Sequence, residues 1–250
     1  MKIKPLFLAL LLAAALTGCS RHPEPRHIVI LIDVSGSIER TSLNQAFKAI
    51  ENLASHLERG DRIVIIPILG DAEAQASGRI TRFDVPTTRQ AYDSDLRHFR
   101  VQLKNALGKA QADAVGHLGP KTDILGSIML ADEEFKGESD HPNHLLIVLS
   151  DFIQESAGLD FKASRYLAAP VAAKRFAVQL AKNHAVDFHG VPVYLGLLQS
   201  REYISLPLSR REAIRGFWLE YFKASHAQPR LVVDGTGLLS GVLVIKFSIM

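Results

Sequence analysis

The sequence predicts a single α/β domain in which a doubly wound, mostly parallel sheet is flanked by helices. Short apolar runs rich in β-branched residues alternate along the chain with amphipathic helical stretches, which is the pattern of a parallel sheet with crossover helices. A chain of 250 residues is also long enough to bury one large core. We therefore expect one folded domain, with short segments of different composition before and after it.

The first elements of the domain are a buried strand and an amphipathic helix. The apolar run "IVILI" at 28–32 predicts a strand that is covered on both faces. Ser42 and Gln45 have the spacing of a capping box, and an apolar face with helical spacing follows them. We expect Gly60 to end this helix.

The middle of the chain predicts two further strands and two helices. "RIVIIPIL" at 62–69 is the second strand, and Pro67 indicates a bulge or a strand end because proline cannot donate to the sheet. The alternating "RITRFDV" at 79–85 predicts a short edge strand that returns beside the second. Apolar residues at helical spacing then predict helices over 93–118 and within 121–135.

The last part of the chain continues the alternation of strand and helix. "HLLIVLSD" at 144–151 predicts the fourth strand, and an alanine-rich helix over 166–183 separates it from the strand "VPVYLGLL" at 191–198. A helix over 210–225 precedes "RLVVD" at 230–234, which predicts the last strand. We interpret the aromatic residues of this helix mainly as core anchors, with a partner-facing patch as the alternative: Phe217, Trp218, Tyr221 and Phe222.

The first residues predict export and lipid attachment. Residues 1–18 have a basic start and an apolar centre that is too short to span a membrane comfortably, as in a signal peptide. The run "LTGC" at 16–19 resembles the bacterial lipobox, and Cys19 is the only cysteine of the chain; the alternative is an ordinary signal peptide and a chance cysteine. We expect a cell-envelope protein anchored by a lipid on Cys19 through a tether at 19–26. If the host is Gram-negative, Ser20 directly after the cysteine resembles a signal for sorting to the outer membrane. The domain would then face the periplasm.

Composition limits the functions that the domain can have. Removal of residues 1–18, which contain two lysines and no acid, leaves a net charge of about +1 on the mature chain. Because the chain also lacks a basic stripe interleaved with aromatic residues, we do not expect nucleic-acid binding. The domain is predicted to span 27–235, and the apolar tail at 236–250 is expected to be an added strand or a packed tail.

The candidate site lies where two predicted strands end in aspartates. Asp33 ends the first strand and Asp151 the fourth, and in a sheet of strand order 3-2-1-4-5-6 these two ends are neighbours where the order reverses. Two facing carboxylates are unfavourable unless one is protonated or a cation binds them. Ser35 and Ser37 supply neutral hard-oxygen ligands of the kind that Mg²⁺ prefers, and Gly36 permits a tight loop around an ion.

The run "DVSGS" at 33–37 resembles the metal-ion-dependent adhesion site of the von Willebrand factor A domain, a Rossmann-like α/β fold. Thr122 and Asp151 fall where that family supplies its threonine and its second aspartate. The resemblance implies Mg²⁺, or Mn²⁺, held by Asp33, Ser35, Ser37, Thr122 and Asp151. It also implies that an exposed Asp or Glu of a protein partner completes the coordination. The predicted function is a membrane-anchored binding module that is not an enzyme and has no small-molecule substrate.

Other interpretations of the same residues stay open. A phosphatase-like hydrolase would use Asp33 as its nucleophile, although such enzymes place a second acid where this chain has Ser35. A structural lipoprotein with an unused metal site is a third function. At the level of local structure, Ser35, Ser37 and Thr122 could cap helices, and Asp151 could belong to a turn at the end of a strand.

Overall fold

The computed structural model describes residues 24–70, 79–87, 92–116, 121–136, 143–156 and 158–232. The predicted signal peptide at 1–18, Cys19 and the apolar tail at 236–250 lie outside the described residues. Within these ranges, the structure contains no helix with the length and apolar character needed to cross a membrane.

The described residues form one central sheet of six strands: β1 (Arg26–Asp33), β2 (Arg62–Ile68), β3 (Thr81–Asp84), β4 (Asn143–Ser150), β5 (Pro192–Leu197) and β6 (Gln228–Val232). Their order is β3-β2-β1-β4-β5-β6. Neighbouring strands are parallel except for β2 and β3, which are antiparallel. The predicted fold class and strand order are therefore confirmed.

Helices cover both faces of this sheet. They are α1 (Arg40–Ala54), α2 (Tyr92–Gly116), α3 (Ile124–Lys136), α4 (Pro170–His184), α5 (Arg201–Ser205) and α6 (Leu208–Ala224), with a 3₁₀ helix at Arg165–Ala168. The helix expected over 166–183 begins later, because the 3₁₀ helix occupies its first turn and Pro170 is the first residue of α4.

Alternate residues of the central strands face two apolar cores, one on each side of the sheet. In β1, Val29 and Leu31 belong to the core under α3, α4 and α6, whereas Ile28, Ile30 and Ile32 belong to the core under α1 and α2. Burial on both faces explains why the sequence of β1 is continuously apolar.

The aromatic residues of α6 are core anchors. Phe217, Trp218, Tyr221 and Phe222 are each at most 1% exposed, and the ring of Phe161 meets that of Phe217 edge to face at 4.8 Å. This confirms the main interpretation, and the alternative of a partner-facing patch is wrong.

The start of α1 differs from the prediction. The helix begins at Arg40 after Glu39, so Ser42 lies inside the helix and the expected capping box with Gln45 is wrong. Ser42 is buried, and its hydroxyl oxygen accepts a hydrogen bond of 3.0 Å from the Gln199 amide in the loop after β5. A tertiary contact therefore accounts for this serine.

Two further boundaries bear on the sequence analysis. The helix α1 ends at Ala54, so the expectation that Gly60 ends it is wrong; Gly60 lies in the following turn with a φ of 81°, a left-handed conformation that suits glycine. Pro67 is the last residue but one of β2, which pairs with β1 in continuous register up to Ile68. The strand end indicated by Pro67 is therefore confirmed, without a bulge.

Candidate metal centre

Two aspartates meet at the carboxyl edge of the sheet. Asp33 is the last residue of β1, and Asp151 directly follows the neighbouring strand β4. Because the chain order reverses between these strands, this edge is the crevice in which doubly wound sheets bind ligands. Asp33 is 0% and Asp151 1% exposed, so both carboxylates are taken out of bulk water.

A chain of hydrogen bonds joins the two aspartates through the loop after β1. The Ser35 amide donates to Asp33 Oδ1 at 2.9 Å, and the hydroxyls of Ser35 and Ser37 are 2.9 Å apart. The Ser37 hydroxyl donates to Asp151 Oδ2 at 3.4 Å. Four of the five predicted site residues are therefore in contact. Because α1 begins only at Arg40, the alternative that these serines cap it is wrong.

Thr122 lies at the same edge but outside this chain of hydrogen bonds. Its backbone pairs with Glu155, in the segment after β4, through two hydrogen bonds of 2.9 and 2.8 Å. The next amide, of Asp123, donates to the carbonyl of Leu69 at the end of β2. Asp123 Oδ1 accepts from the Gly126 amide in the first turn of α3, so Asp123 caps this helix and the capping alternative for Thr122 is wrong.

Two further serines, absent from the predicted site, hold the aspartates. The Ser150 hydroxyl donates to Asp33 Oδ2 at 2.7 Å and accepts from the Phe152 amide at 2.9 Å. Ser200, which is fully buried after β5 and caps α5, lies near Asp151 and lowers the pKa of that carboxyl. The signal that identifies Asp151, a polar residue at the carboxyl end of a strand near the switch point, also applies to Ser150, the last residue of β4, but not to Ser200, which lies three residues beyond β5.

The backbone after Asp151 adopts an uncommon conformation that the core supports. Phe152 has a φ of 64°, and its carbonyl accepts a hydrogen bond of 3.0 Å from the buried indole N–H of Trp218. The Ile153 amide donates to Asp151 Oδ1 at 2.9 Å. Asp151 does belong to a turn at the strand end, as the structural alternative proposed, and its other oxygen, Oδ2, remains directed at Ser37.

The negative charges of the two carboxylates are not balanced by a positively charged side chain among the described residues. Burial raises the pKa of Asp33, although hydrogen bonds from Ser150 and Ser35 lower it. Burial, and then the negative charge of Asp33, raise the pKa of Asp151 to about 7 against an opposing hydrogen bond from Ser200. In the part of the chain that the structure describes, no lysine or arginine forms an ion pair with either aspartate. A proton or a bound cation would relieve this cost.

The donor set fits a hard divalent cation. Asp33 and Asp151 offer carboxylate oxygens, and the hydroxyls of Ser35, Ser37 and Thr122 add neutral oxygens without further charge. Among the described residues no three His, Cys, Asp or Glu side chains form a metal-binding group, so a cation here would depend on hydroxyls and water beyond its two carboxylates. This set suits Mg²⁺, which retains several waters in proteins.

Comparison with known proteins shows a likeness of fold. No protein-family model and no curated protein matches the sequence. The pilus adhesin SpaC from Lactobacillus rhamnosus GG is similar with a TM-score of 0.53 at 12% identity, over 90% of this chain and 30% of that one. A von Willebrand factor type A protein from Catenulispora acidiphila is similar with a TM-score of 0.46 at 15% identity, over 89% of this chain and 42% of that one.

The chain thus spans less than half the length of either solved protein. The manganese-loaded TRAP protein of Plasmodium vivax is also similar, with a TM-score of 0.39 at 11% identity, over 87% of this chain and 71% of that one. The likeness to SpaC shows a shared fold, and the strand order of this chain is that of a doubly wound α/β sheet with the Asp-x-Ser-x-Ser loop at its switch point.

Proposed function

We propose that this chain is a binding module of the bacterial cell envelope that holds Mg²⁺ at Asp33, Ser35, Ser37, Thr122 and Asp151. A protein partner would supply an Asp or Glu side chain to the metal. The observation that carries this proposal is the buried pair of aspartates, joined through two serine hydroxyls and without a cationic partner in the described residues.

The charge of the site supports a role in binding an acidic group. Two carboxylates neutralise a divalent ion, and the three hydroxyls add no negative charge, so a bound cation would still attract a carboxylate from outside. The protein supplies the positioning: Ser150 fixes Asp33, and the turn held by Trp218 fixes Asp151. A preorganised set of this kind lowers the entropic cost of binding an ion.

The surroundings of Asp33 support a binding role over the hydrolase alternative. Its described hydrogen-bond partners are the hydroxyl-bearing residues Ser35 and Ser150, and the neighbouring carboxyl of Asp151, whose pKa is raised to about 7, already accepts hydrogen bonds on both oxygens from Ile153 and Ser37. The position two residues after Asp33, where a phosphatase of the considered type would place its second acid, holds Ser35. We therefore propose a module without enzymatic activity.

We propose Cys19 as the lipid anchor that places this module at the membrane of the envelope. The fold likeness to a pilus adhesin supports a role in surface or envelope binding, because that protein is named for adhesion. The supporting features in this chain are the predicted export signal at 1–18 and the lipobox-like run before Cys19.

Calorimetric titration of the soluble domain with Mg²⁺ and with Mn²⁺ tests the site. We expect one bound ion per chain and a higher melting temperature in Mg²⁺ than in EDTA, because the ion binds only the folded state. Asp33→Ala and Ser35→Ala should remove most of this rise, whereas Thr41→Ala, at an exposed position of α1, should keep it.

Affinity capture from membranes tests the function of the bound ion. We expect a captured protein to be lost in EDTA and in Ser35→Ala. Capture that persists in EDTA would contradict the proposal, as would an Asp33→Ala variant that responds to Mg²⁺ like the parent. A turnover in a phosphatase panel that Asp33→Ala abolishes would favour the hydrolase instead.

A further inference from the structure

Four exposed basic residues lie at the edge of the sheet that carries the candidate metal centre, each on a different segment. Arg40 begins α1, Lys121 directly precedes Thr122, Arg165 begins the 3₁₀ helix after β4, and Arg201 begins α5 after β5. These four residues are called the basic rim below. Their segments are the ones that carry or adjoin the proposed metal ligands.

Backbone contacts place two of these segments side by side. Ile38, in the loop after β1, forms a β-bridge with Ser200, in the loop after β5. The amide of the following residue, Glu39, donates to the carbonyl of Gln199 at 2.9 Å. The first residues of α1 and α5 therefore start from paired loops, next to the carboxylate of Asp151.

The other two segments are fixed to the region after β4. Lys121 precedes the backbone bridge that ties Thr122 to Glu155. The loop before Arg165 is held by Arg210 of α6, whose guanidinium donates to three backbone carbonyls within residues 161–164. The four rim residues therefore lie on or beside segments whose backbones are fixed by hydrogen bonds.

Glu155 and Glu202 at this edge have a cationic partner within the chain, whereas the rim residues have no acidic one among the described residues; the Arg165 guanidinium lies 5.5 Å from the centre of the Tyr166 ring. Lys162 forms ion pairs with Glu155 and with Glu202, the second at 2.7 Å, and the Asp160 carboxylate accepts from the Lys162 amide. In the ranges that the structure describes, no rim residue takes part in an ion pair. Glu155 and Glu202 are also half-buried, whereas all four rim residues are exposed.

We infer that the partner segment is polyacidic: one Asp or Glu reaches the metal, and further acidic residues on both sides of it pair with the basic rim. This inference rests on the proposed function, because the central carboxylate needs the metal. With Mg²⁺ balancing Asp33 and Asp151, the groups that remain exposed and unpaired around the ion are predominantly positive. Exposed ion pairs are individually weak, so the rim selects among acidic segments and speeds their association.

Fluorescence anisotropy with two labelled synthetic peptides of equal length tests this inference. One peptide carries a single Asp in a Gly-Ser background, and the other carries two Glu on each side of the same Asp. In Mg²⁺ we expect the flanked peptide to bind about tenfold more tightly, because four exposed ion pairs add modest increments. Added NaCl should remove this difference in the unaltered protein, since it screens exposed charges.

A rim variant and a matched control separate this effect from general charge. Arg40→Gln, Lys121→Gln, Arg165→Gln and Arg201→Gln together should reduce the affinity of the flanked peptide to that of the single-Asp peptide. The control changes four exposed lysines elsewhere on α1, α2 and α4 and should keep the tenfold difference: Lys48→Gln, Lys104→Gln, Lys174→Gln and Lys182→Gln. The melting temperature of each variant in Mg²⁺ establishes that it is folded.

The outcomes distinguish the inference from the function on which it rests. Equal affinity of the two peptides in Mg²⁺, or a tenfold difference that survives in the rim variant, overturns the inference and leaves the metal-dependent function standing. Failure of both peptides to bind in Mg²⁺, or undiminished binding in EDTA, overturns the proposed function and the inference with it.

Discussion

The hydroxyl of Ser150 links Asp33 to the turn that contains Asp151. It donates to the Asp33 carboxylate and accepts from the Phe152 amide inside the buried edge of the sheet. Ser150→Ala would leave that amide without its acceptor and Asp33 without its 2.7 Å donor. We expect the free energy of unfolding in EDTA to fall by about 1–3 kcal/mol and the affinity for Mg²⁺ to fall as well. Urea denaturation and calorimetric titration measure the two effects.

Ser225 offers a matched control for this substitution. It is also buried, but its hydroxyl has no hydrogen-bond partner among the described residues, so Ser225→Ala should change stability little and Mg²⁺ affinity not at all. Ser150→Thr retains the hydroxyl and should restore most of the affinity. An affinity for Mg²⁺ that is the same in Ser150→Ala as in the parent would show that this serine does not position Asp33.

The raised pKa values of the aspartates predict how the metal-free protein responds to pH. The folded-state pKa of Asp151, about 7, lies above the ordinary value of 3.8, so between these values the folded state binds more protons than the unfolded state. Asp33, whose pKa is also raised, acts in the same direction. In EDTA the free energy of unfolding should therefore fall as pH rises from about 4 to about 7, and the decrease should stop above the folded pKa.

Urea denaturation in EDTA at several pH values measures this slope. Because other groups titrate in the same range, the informative quantity is the difference between the parent and Asp151→Asn, which cannot ionise at this position. Saturating Mg²⁺ should also remove the decrease, since it stabilises the ionised carboxylates. Identical slopes in the parent and in Asp151→Asn would contradict the assignment of the raised pKa to this pair.

Among the secondary-structure elements, α3 depends on Gln154 for the start of its hydrogen-bonding pattern. Gln154 Oε1 accepts from the amides of Ile124 and Leu125 at 2.8 and 3.1 Å, and Nε2 donates to Asp123 Oδ1 at 3.0 Å. Gln154→Ala would leave two buried amides without an acceptor, and we expect it to lower the free energy of unfolding by about 1–3 kcal/mol.

The same substitution should also weaken Mg²⁺ binding, because Thr122 directly precedes this turn. We expect a smaller loss than for Ser35→Ala, which removes a proposed ligand itself, and calorimetric titration of both variants gives the comparison. Gln179→Ala, at an exposed position of α4, controls for the loss of a glutamine side chain. A Gln154→Ala protein with lower stability and unchanged Mg²⁺ affinity would show that the start of α3 does not position Thr122.

The elements of this fold differ in how far the sequence predicts them. The strand β1 was predictable because burial on both faces demands a continuous apolar run, and Asp33 and Asp151 followed from the positions of strand ends. The start of α1 was not predictable, because Ser42 is held by the amide of Gln199, a residue 157 positions away. Ser200 was missed for the same reason: a long-range pairing with Ile38 brings its loop to the site.

For the molecule as a whole, the lipobox-like run predicts attachment to a membrane at Cys19. Cys19→Ala should abolish metabolic labelling with a radioactive fatty acid, because the thiol is the group that receives the lipid. The variant should also be released from the membrane fraction, because the lipid is the proposed anchor. Fractionation and labelling of parent and variant test this, and unchanged labelling of Cys19→Ala would contradict it.

The fold also predicts how an anchored molecule presents its candidate site. The tether enters the sheet at Arg26, the first residue of β1, which is fixed there by hydrogen bonds of its amide and guanidinium to the buried Asp61. Asp33 lies at the other end of the same strand of eight residues, and seven rises of ~3.3 Å separate the two ends by roughly 23 Å. The residue at which the chain enters the sheet and the metal centre are therefore at opposite edges of the sheet.

We accordingly expect the metal centre of the lipidated protein to face away from its own membrane. The flanked acidic peptide should bind the lipidated protein on neutral phosphatidylcholine vesicles, in Mg²⁺, within about twofold of its affinity for the soluble domain that begins at residue 24. Neutral vesicles are needed because an anionic surface would itself repel the peptide. A loss of tenfold or more on vesicles, with Mg²⁺ affinity unchanged, would show that the bilayer covers the basic rim and would contradict this orientation.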